Sequence, residues 1–299
     1  MEPNKYMCAP GKKYENNSCF TIDELIKIAN EYNKIQKNKD KAILIKNDKK
    51  YLLQKINEVM MEEYNCENNK QTCWLKTTAV NDKNIKNYTF RPEGPKKQFE
   101  WLSTSDINKV MGQYEKQYKD FKFFEAVPYD FEILPQLEIY NINFNDMNEK
   151  GITKIGMVIN LDNHNQSGSH WVALYSVLNE NKLYYFDSFG KTPGKRIKKL
   201  NKKILKYMHK QNNNTGINKN DELFDIRYNK IQHQFKNSEC GVYSMNFIIR
   251  LLNNESFDHI INSITKDDKM NDCRNVYFIN NNNHNNKNLD YCTIDKKQI

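Results

Sequence analysis

One cysteine of this sequence lies where a polar loop becomes an apolar helix. Cys240 stands in the segment Asn237–Ser244 (NSECGVYS), and the stretch Gly241–Leu252 is apolar nearly all round, which predicts a buried helix. A thiol at this point faces amide N–H groups that lack intrahelical partners and the positive end of the helix dipole. Both favour the thiolate, which is the nucleophilic form. A small cysteine buried in a core would also fit this position, so location alone leaves both interpretations open.

A histidine and an aspartate lie at the ends of two strands of a predicted hairpin. His170 opens the run HWVALYSVL and Asp187 closes the run LYYFD, with a polar turn at 179–182 between them. An antiparallel hairpin brings these two ends together, and pairing of Leu178 with Leu183 would point both side chains to one face. A carboxylate fixes the tautomer of a histidine and stabilises its imidazolium, so the imidazole can take a thiol proton. The alternatives are a histidine bonded to backbone and an aspartate that begins a turn.

Two further residues near the cysteine could handle a bound substrate. Gln234 precedes Cys240 in the connecting loop, and its amide could join the Cys240 N–H in stabilising an oxyanion. Gly241 could let a substrate carbonyl come close to the backbone. A solvated loop residue is the alternative for the glutamine. Together the set predicts a nucleophile, a base, an orienting carboxylate and an oxyanion donor, which is the chemistry of thiol-based acyl transfer.

The same residues carry a family resemblance. The segments His170–Trp171, Tyr185–Ser188 and Gln234–Gly241 occur in the order His, Asp, Gln, Cys and resemble the SUMO-specific protease and adenovirus proteinase superfamily. The resemblance implies an α+β, papain-like (SUMO-protease-like) catalytic domain. It also implies that Trp101 and the tryptophan after the histidine form a narrow slot around a Gly-Gly segment of a polypeptide substrate.

Within that superfamily the sequence resembles the polyprotein proteases of African swine fever virus and the giant-virus thiol proteases. The segments that carry this are Asn17–Cys19, Pro92–Pro95, Gly168–Ala173 and Ser238–Ser244. One departure from the resemblance is that the swine fever proteases look to have asparagine where this chain has Asp187. The resemblance implies an N-terminal helical arm and cleavage of viral structural polyproteins after Gly-Gly-type sites during virion maturation. It also implies a location in the virion and in the viral factory of the host cytoplasm.

Breaks in the sequence divide the chain into three parts. The run Arg91–Pro95 (RPEGP) predicts a boundary between a helical arm, 1–95, and a catalytic domain, 96–280, with an Asn-rich tail at 281–299. Periodicity predicts the individual helices and strands, and the family resemblance implies that the strands form a central mixed sheet flanked by helices. The predicted helices are Thr21–Ile35, Ala42–Glu63, Ser103–Tyr118, Lys195–Lys210 and Asp267–Phe278; besides the hairpin, the predicted strands are Lys122–Val127, Ile152–Leu161 and Phe224–Tyr228.

Composition narrows the class of protein. The mean hydropathy is −0.89, yet 18 Tyr, 15 Phe and 3 Trp provide material for a core. We expect no signal peptide and no membrane span, because no apolar run reaches the required length of about 18 residues. The seven cysteines form an odd set without a CxxC pair, which favours a reducing compartment and free thiols. They also lack histidines at metal-ligand spacing, so we expect no metal and no organic cofactor.

Two other functions fit part of the sequence. Removal of SUMO or another ubiquitin-like modifier would use the same Gly-Gly slot, so the motifs leave this substrate open. The net charge of +9 and the basic helix Lys195–Lys210 could attract nucleic acid, either as an activator or as the ligand of a catalytically idle binding module. The joint presence of His, Asp, Gln and Cys argues against the idle module, because binding alone requires none of them.

Overall fold

The chain divides into two compact units. The computed structural model describes residues 8–10, 14–214, 224–279 and 290–292. The units comprise residues 1–92 and 93–299, so the division follows Pro92, whereas the sequence predicts a boundary after residue 95. The predicted Asn-rich tail, 281–299, lies outside the described residues apart from Asp290–Cys292.

The first unit is helical. Its helices are α1 (Ile22–Ile35), α2 (Lys49–Tyr64), α3 (Gln71–Trp74) and α4 (Lys83–Tyr88), with 3-10 turns at Glu15–Asn17 and Lys39–Lys41. The predicted start of α1 is a capping box, in which the Glu24 N–H donates to Thr21 Oγ1 and the Thr21 N–H donates to the Glu24 carboxylate. Such a cap satisfies two backbone donors that the first helical turn leaves without partners.

The second helix is shorter than the sequence predicts. Helix α2 begins at Lys49 rather than Ala42, because Asp48 caps it by accepting from the Tyr51 N–H at 3.0 Å. Residues 42–48, which the sequence predicts to be part of this helix, are not helical. The side-chain amide of Asn33 binds both the N–H and the carbonyl of Ile43, at 2.7 and 2.8 Å. The Ile43 backbone is therefore satisfied without a helix.

Six of the seven cysteines are paired, which overturns the expectation of free thiols; all seven lie in the described part of the chain. The disulfides are Cys8–Cys19, Cys66–Cys73 and Cys273–Cys292, with Cα–Cα distances of 6.1, 5.8 and 5.5 Å. These distances lie in the range that a disulfide requires. Cys240 is the remaining cysteine and is free.

The second unit contains a five-stranded mixed sheet, as predicted. Its strands are β1 (Phe121–Val127), β2 (Lys154–Asn160), β3 (Trp171–Val177), β4 (Lys182–Phe186) and β5 (Asp225–Tyr228). They follow one another across the sheet in chain order. The two outer pairs, β1–β2 and β4–β5, are parallel, and the two inner pairs are antiparallel.

Seven helices belong to the described part of the second unit. They are α5 (Thr104–Gln117), α6 (Phe144–Glu149), α7 (Lys195–Asn214), α8 (Cys240–Leu252), α9 (Phe257–Asn262), α10 (Asp267–Asp272) and α11 (Arg274–Tyr277), with 3-10 turns at Phe131–Ile133, Glu138–Asn141, Leu178–Glu180 and Asp290–Cys292. The predicted single helix Asp267–Phe278 is therefore two short helices. The chain tightens at Cys273, whose N–H bonds to the carbonyl of Met270, three residues back.

Both faces of the sheet are covered, as the apolar hairpin strands predict. Helix α8 is buried along its whole length and packs against β3 and β2. On the opposite face, α7 inserts four apolar side chains into a core with residues of β3 and β4; these side chains are Ile197, Leu200, Ile204 and Met208. No helix of the described residues is long and apolar enough to cross a membrane.

The cysteine pairing leads to a labelling prediction. Without reductant, we expect iodoacetamide to add one carboxamidomethyl group to the folded chain, at Cys240, because the other thiols are in disulfides. Intact-mass measurement before and after reduction and unfolding would show this. Cys240→Ala is the control and should take no label until reduced. Several labels on the native, unreduced protein would contradict the pairing.

Candidate active site

Three separate elements bring the predicted catalytic residues to one place. Cys240 is the first residue of α8, His170 immediately precedes β3, and Asp187 immediately follows β4. Because β3 and β4 are antiparallel neighbours and α8 packs on β3, these three element ends are adjacent. The structure thus assembles residues that are far apart in sequence.

The hairpin register differs from the one assumed from the sequence. Ser176, not Leu178, lies opposite Leu183. A shift of two residues preserves which face each side chain occupies, so His170 and Asp187 still point the same way. The observed register places these two side chains diagonally across the hairpin, where long side chains can touch.

The imidazole of His170 interacts with both Asp187 and Cys240. Its Nε2 lies 2.7 Å from Asp187 Oδ1, and Asp187 is 1% exposed. The other ring nitrogen is left for Cys240, whose interaction with the ring helps to raise the pKa of His170. Burial alone would lower the pKa of His170, but the hydrogen bond with Asp187, the interaction with Cys240 and the charges of both raise that pKa to about 9. The ring is therefore an imidazolium at neutral pH, and a positive charge beside a cysteine favours the nucleophilic form of the thiol.

Asp187 is held by a residue that the sequence analysis missed. Asn229, just beyond β5, accepts from the Asp187 N–H at 2.8 Å and donates to the Asp187 carbonyl at 2.7 Å. Asn229 is 1% exposed. Its side chain fixes the backbone of the aspartate from the neighbouring parallel strand. No local signal in the sequence marks this asparagine, because its role requires β5 to lie beside β4.

Phe189 is a second missed residue. Its ring stacks on the His170 imidazole, with centroids 4.4 Å apart and an interplanar angle of 22°. Its N–H donates to Asp187 Oδ1 at 2.8 Å, the same oxygen that binds the imidazole. Phe189 thus holds both the ring and the carboxylate. An aromatic residue two positions after a candidate aspartate is the signal that could have pointed to it.

Gln234 is buried, which rules out the solvated-loop interpretation. It is 1% exposed, its Oε1 accepts from Ser188 Oγ at 2.6 Å, and its Nε2 donates to the Lys236 carbonyl at 2.7 Å. An amide nitrogen carries two hydrogens, so Nε2 can donate one further hydrogen bond. The Ser188 bond also ties the loop before α8 to the turn that follows Asp187.

The two predicted slot residues line one cleft of about 500 Å³. Trp101 is 46% exposed, whereas Trp171 is only 6% exposed. The Nε1 of Trp171 donates a 3.0 Å hydrogen bond to the Leu102 carbonyl. Gly241 is buried. A Cβ added there would lie 3.2 Å from Leu102 atoms and 3.3 Å from Trp171, so close packing, rather than room for a substrate carbonyl, accounts for glycine at this position.

The described residues contain no group of three His, Cys, Asp or Glu side chains that could hold a metal ion. The polar groups at the centre of the site are instead a thiol, an imidazolium, a carboxylate and amide donors. This set can carry out nucleophilic attack on a carbonyl carbon with proton transfer through the imidazole.

Comparisons with known proteins give the family. Residues 139–289 match the Ulp1 protease family, C-terminal catalytic domain. The chain is 39% identical over 292 residues to a thiol protease of Acanthamoeba polyphaga mimivirus. This match covers 92% of this chain and 93% of the relative. It is 24% identical over 199 residues to the SUMO-1 cysteine protease of African swine fever virus, over 60% of this chain and 68% of the relative. A crystal structure of the swine fever virus protease shares the fold, with a TM-score of 0.56 at 19% identity over 81% of this chain and 93% of that one.

The ionisation of His170 can be tested directly. In Asp187→Asn the amide oxygen can still accept from the ring, but the charge that raises the pKa of His170 is lost. We expect NMR titration of the ring to give a midpoint near pH 9 in the native chain and a midpoint about one unit or more lower in the variant.

The matched control is Asp130→Asn, which alters a second histidine–aspartate pair, His164 with Asp130 at 2.6 Å. This variant should leave the His170 midpoint where it is. An unchanged midpoint in Asp187→Asn would show that the carboxylate does not set the ionisation of the ring.

Proposed function

We propose a reaction and a substrate from the premise that this chain belongs to the Ulp1 protease family and is therefore a cysteine-type protease. In the proposal Cys240 is the nucleophile, His170 is the base that holds the Cys240 proton, and Asp187 orients and charges the imidazole. His170 then acts as general acid toward the leaving amine and as general base toward water. The observation that carries the proposal is the buried His170 ring, which is hydrogen-bonded to Asp187 and interacts with Cys240.

The first half of the reaction forms an acyl-enzyme. His170 holds the Cys240 proton, and the thiolate attacks the substrate carbonyl carbon to form a C–S bond. The carbonyl electron pair moves to oxygen and forms an oxyanion. When the oxyanion collapses, the C–N bond breaks and the imidazolium gives its proton to the leaving amine. In the second half, His170 takes a proton from water, the resulting hydroxide attacks the thioester, and Cys240 leaves as the thiolate.

Two amide groups are suited to the oxyanion. The N–H of Cys240 lies in the first turn of α8, where a helix has no internal acceptor for it. Gln234 is held in place by Ser188 and Lys236, so its remaining Nε2 hydrogen is preorganised. Donors fixed before the reaction stabilise developing charge at no cost of reorganisation. We therefore assign both groups to the oxyanion hole.

Selection of glycine is assigned to the two tryptophans. Trp101 and Trp171 line the same cleft, and Trp171 directly follows His170 in the chain. An indole on each side of an extended substrate leaves no room for a Cβ, so the residues before the cleaved bond would be Gly-Gly. A tight slot also holds the scissile carbonyl near the nucleophile, which lowers the entropic cost of the attack.

We propose that the substrates are viral structural polyproteins, cut during virion maturation in the virion and the cytoplasmic viral factory. The support is similarity to thiol proteases of two large DNA viruses. The alternative substrate is a SUMO or ubiquitin-like conjugate, which the name of the swine fever relative, a SUMO-1 cysteine protease, favours. A nucleic-acid activator stays a prediction that rests on the exposed lysines along α7.

Replacement of the nucleophile tests the reaction. We expect Cys240→Ala to lower kcat/KM on Gly-Gly-X peptides by about 10³-fold or more. Thermal unfolding, followed by circular dichroism, should stay close to that of the native chain because the change removes one atom. Cleavage of such peptides by the alanine variant at the native rate would refute the proposal. Hydrolysis of SUMO conjugates but not of peptides would favour the alternative substrate.

Trp101 provides a test of the slot. We expect Trp101→Ala to lower kcat/KM on Gly-Gly-X peptides by about tenfold or more, because one side of the slot is lost. The ratio of kcat/KM for Gly-Gly-X peptides to that for Ala-Ala-X peptides should also fall. Phe99→Ala is the matched control: it removes another exposed aromatic, 55% exposed, that does not line the cleft. Equal behaviour of the two variants would remove Trp101 from the slot.

A further inference from the structure

A buried arginine contacts the loop that leads into Cys240, and it has no role in the proposed protease reaction. Arg274 is the first residue of α11 and is 4% exposed. Its Nη2 donates to the carbonyl of Ser238, two residues before Cys240, at 2.8 Å. Its Nε and Nη1 are buried and have no hydrogen-bond partner among the described residues.

Burial of the Arg274 guanidinium lowers the stability of the folded chain. A buried guanidinium with two unpaired donors has lost hydration that no protein acceptor replaces, and an apolar side chain of similar size would avoid this loss. Burial also lowers the pKa of Arg274. An arginine remains charged in a protein nonetheless. The position therefore carries a full positive charge inside the domain, at a place where packing alone would favour methionine or leucine.

The charges around Arg274 explain what that cation can do. Those that act on it most strongly are Glu239 and Cys240, followed by Asp106 of α5 and Glu100. Glu239 is fully buried, and its carboxylate accepts from the backbone N–H of Ser238 at 3.1 Å and from the Ser238 hydroxyl. A buried carboxylate next in sequence to the nucleophile opposes a thiolate there, because like charges repel strongly at low dielectric.

We propose that Arg274 is a positioning residue for the nucleophile, which holds the Ser238 carbonyl and offsets the charge of Glu239 so that the nucleophilic form of Cys240 is favoured. The proposal rests on the assignment of Cys240 as the nucleophile. In it, the charge of the His170 imidazolium acts on Cys240 from the hairpin, and the charge of Arg274 acts on Cys240 from α11. Neither cation alone offsets both Glu239 and Asp187.

The arginine is well anchored for this role. Its neighbour Cys273 forms the disulfide with Cys292. In the same helix, Tyr277 donates to the Cys292 carbonyl at 2.7 Å and accepts from Asn246 Nδ2 at 2.9 Å. Since Asn246 belongs to α8, the short helix that carries Arg274 is tied to the helix that begins with the nucleophile.

The test is the pH dependence of Cys240 alkylation by iodoacetamide in the full chain, followed by intact mass in the absence of substrate. Arg274→Met and Arg274→Gln remove the charge, and the glutamine keeps a donor for the Ser238 carbonyl. We expect both variants to shift the alkylation midpoint to higher pH and to lower the rate at about pH 6 by about tenfold. Arg274→Lys keeps the charge and should recover most of the rate.

Arg250→Met is the matched control. Arg250 is a buried arginine at the far end of α8, where it pairs with Glu255 at 2.6 Å. Its loss should leave the alkylation midpoint unchanged even if thermal unfolding occurs at lower temperature. The proposal fails if Arg274→Gln keeps the native midpoint, or if Arg250→Met shifts it equally. If the methionine variant does not fold, the comparison of glutamine with lysine still decides.

The outcome separates this proposal from the proposed protease reaction. A shifted midpoint in Arg274→Gln, in a chain that cleaves no Gly-Gly-X peptide, would support Arg274 and refute the substrate assignment. Peptide cleavage that Cys240→Ala abolishes, with an unshifted midpoint in Arg274→Gln, would support the protease reaction and refute the role of Arg274.

Discussion

The hydrogen bond between the His170 ring and Asp187 joins two charges that are almost fully removed from water. Taking such ions out of water costs on the order of several kcal/mol each, so the pair is stable only where the surroundings hold it firmly. The surroundings do so here. Asn229 fixes the backbone of the aspartate, and Phe189 covers the ring and donates to the shared carboxylate oxygen.

This requirement accounts for much of the sheet around the site. Strand β5 must lie parallel to β4 for Asn229 to reach Asp187, and α8 must pack on β3 for its first residue to face the imidazole. The loop before α8 is bound to the turn after β4 through Ser188 and Gln234. This hydrogen bond resists movement of the loop before α8 relative to the turn after β4. Preorganisation of this kind lets fixed dipoles and charges act on a transition state without first rearranging.

Apolar patterns and turn residues predicted the strands, the capped helix α1 and the buried helix α8, and the family resemblance implied that the strands form a mixed sheet. The errors have physical causes. Asn33 satisfies the backbone of Ile43 and removes the need for a helix there. Cysteine pairing depends on distances between residues in the fold, such as the 5.5 Å between the Cα atoms of Cys273 and Cys292, which spacing along the chain does not reveal.

The sequence alone determined which residue types were available: a cysteine at the start of an apolar helix, and a histidine and an aspartate at paired strand ends. These are local features, because the residues next to a helix start or a strand end determine where it lies. The tertiary structure decided which partners meet them. Asn229 lies 42 residues from Asp187 and Arg274 lies 36 residues from Ser238, so both contacts exist only after β5 and α11 have packed in place. Long-range hydrogen bonds leave no pattern along the chain, since any polar side chain at the right point in space can make them.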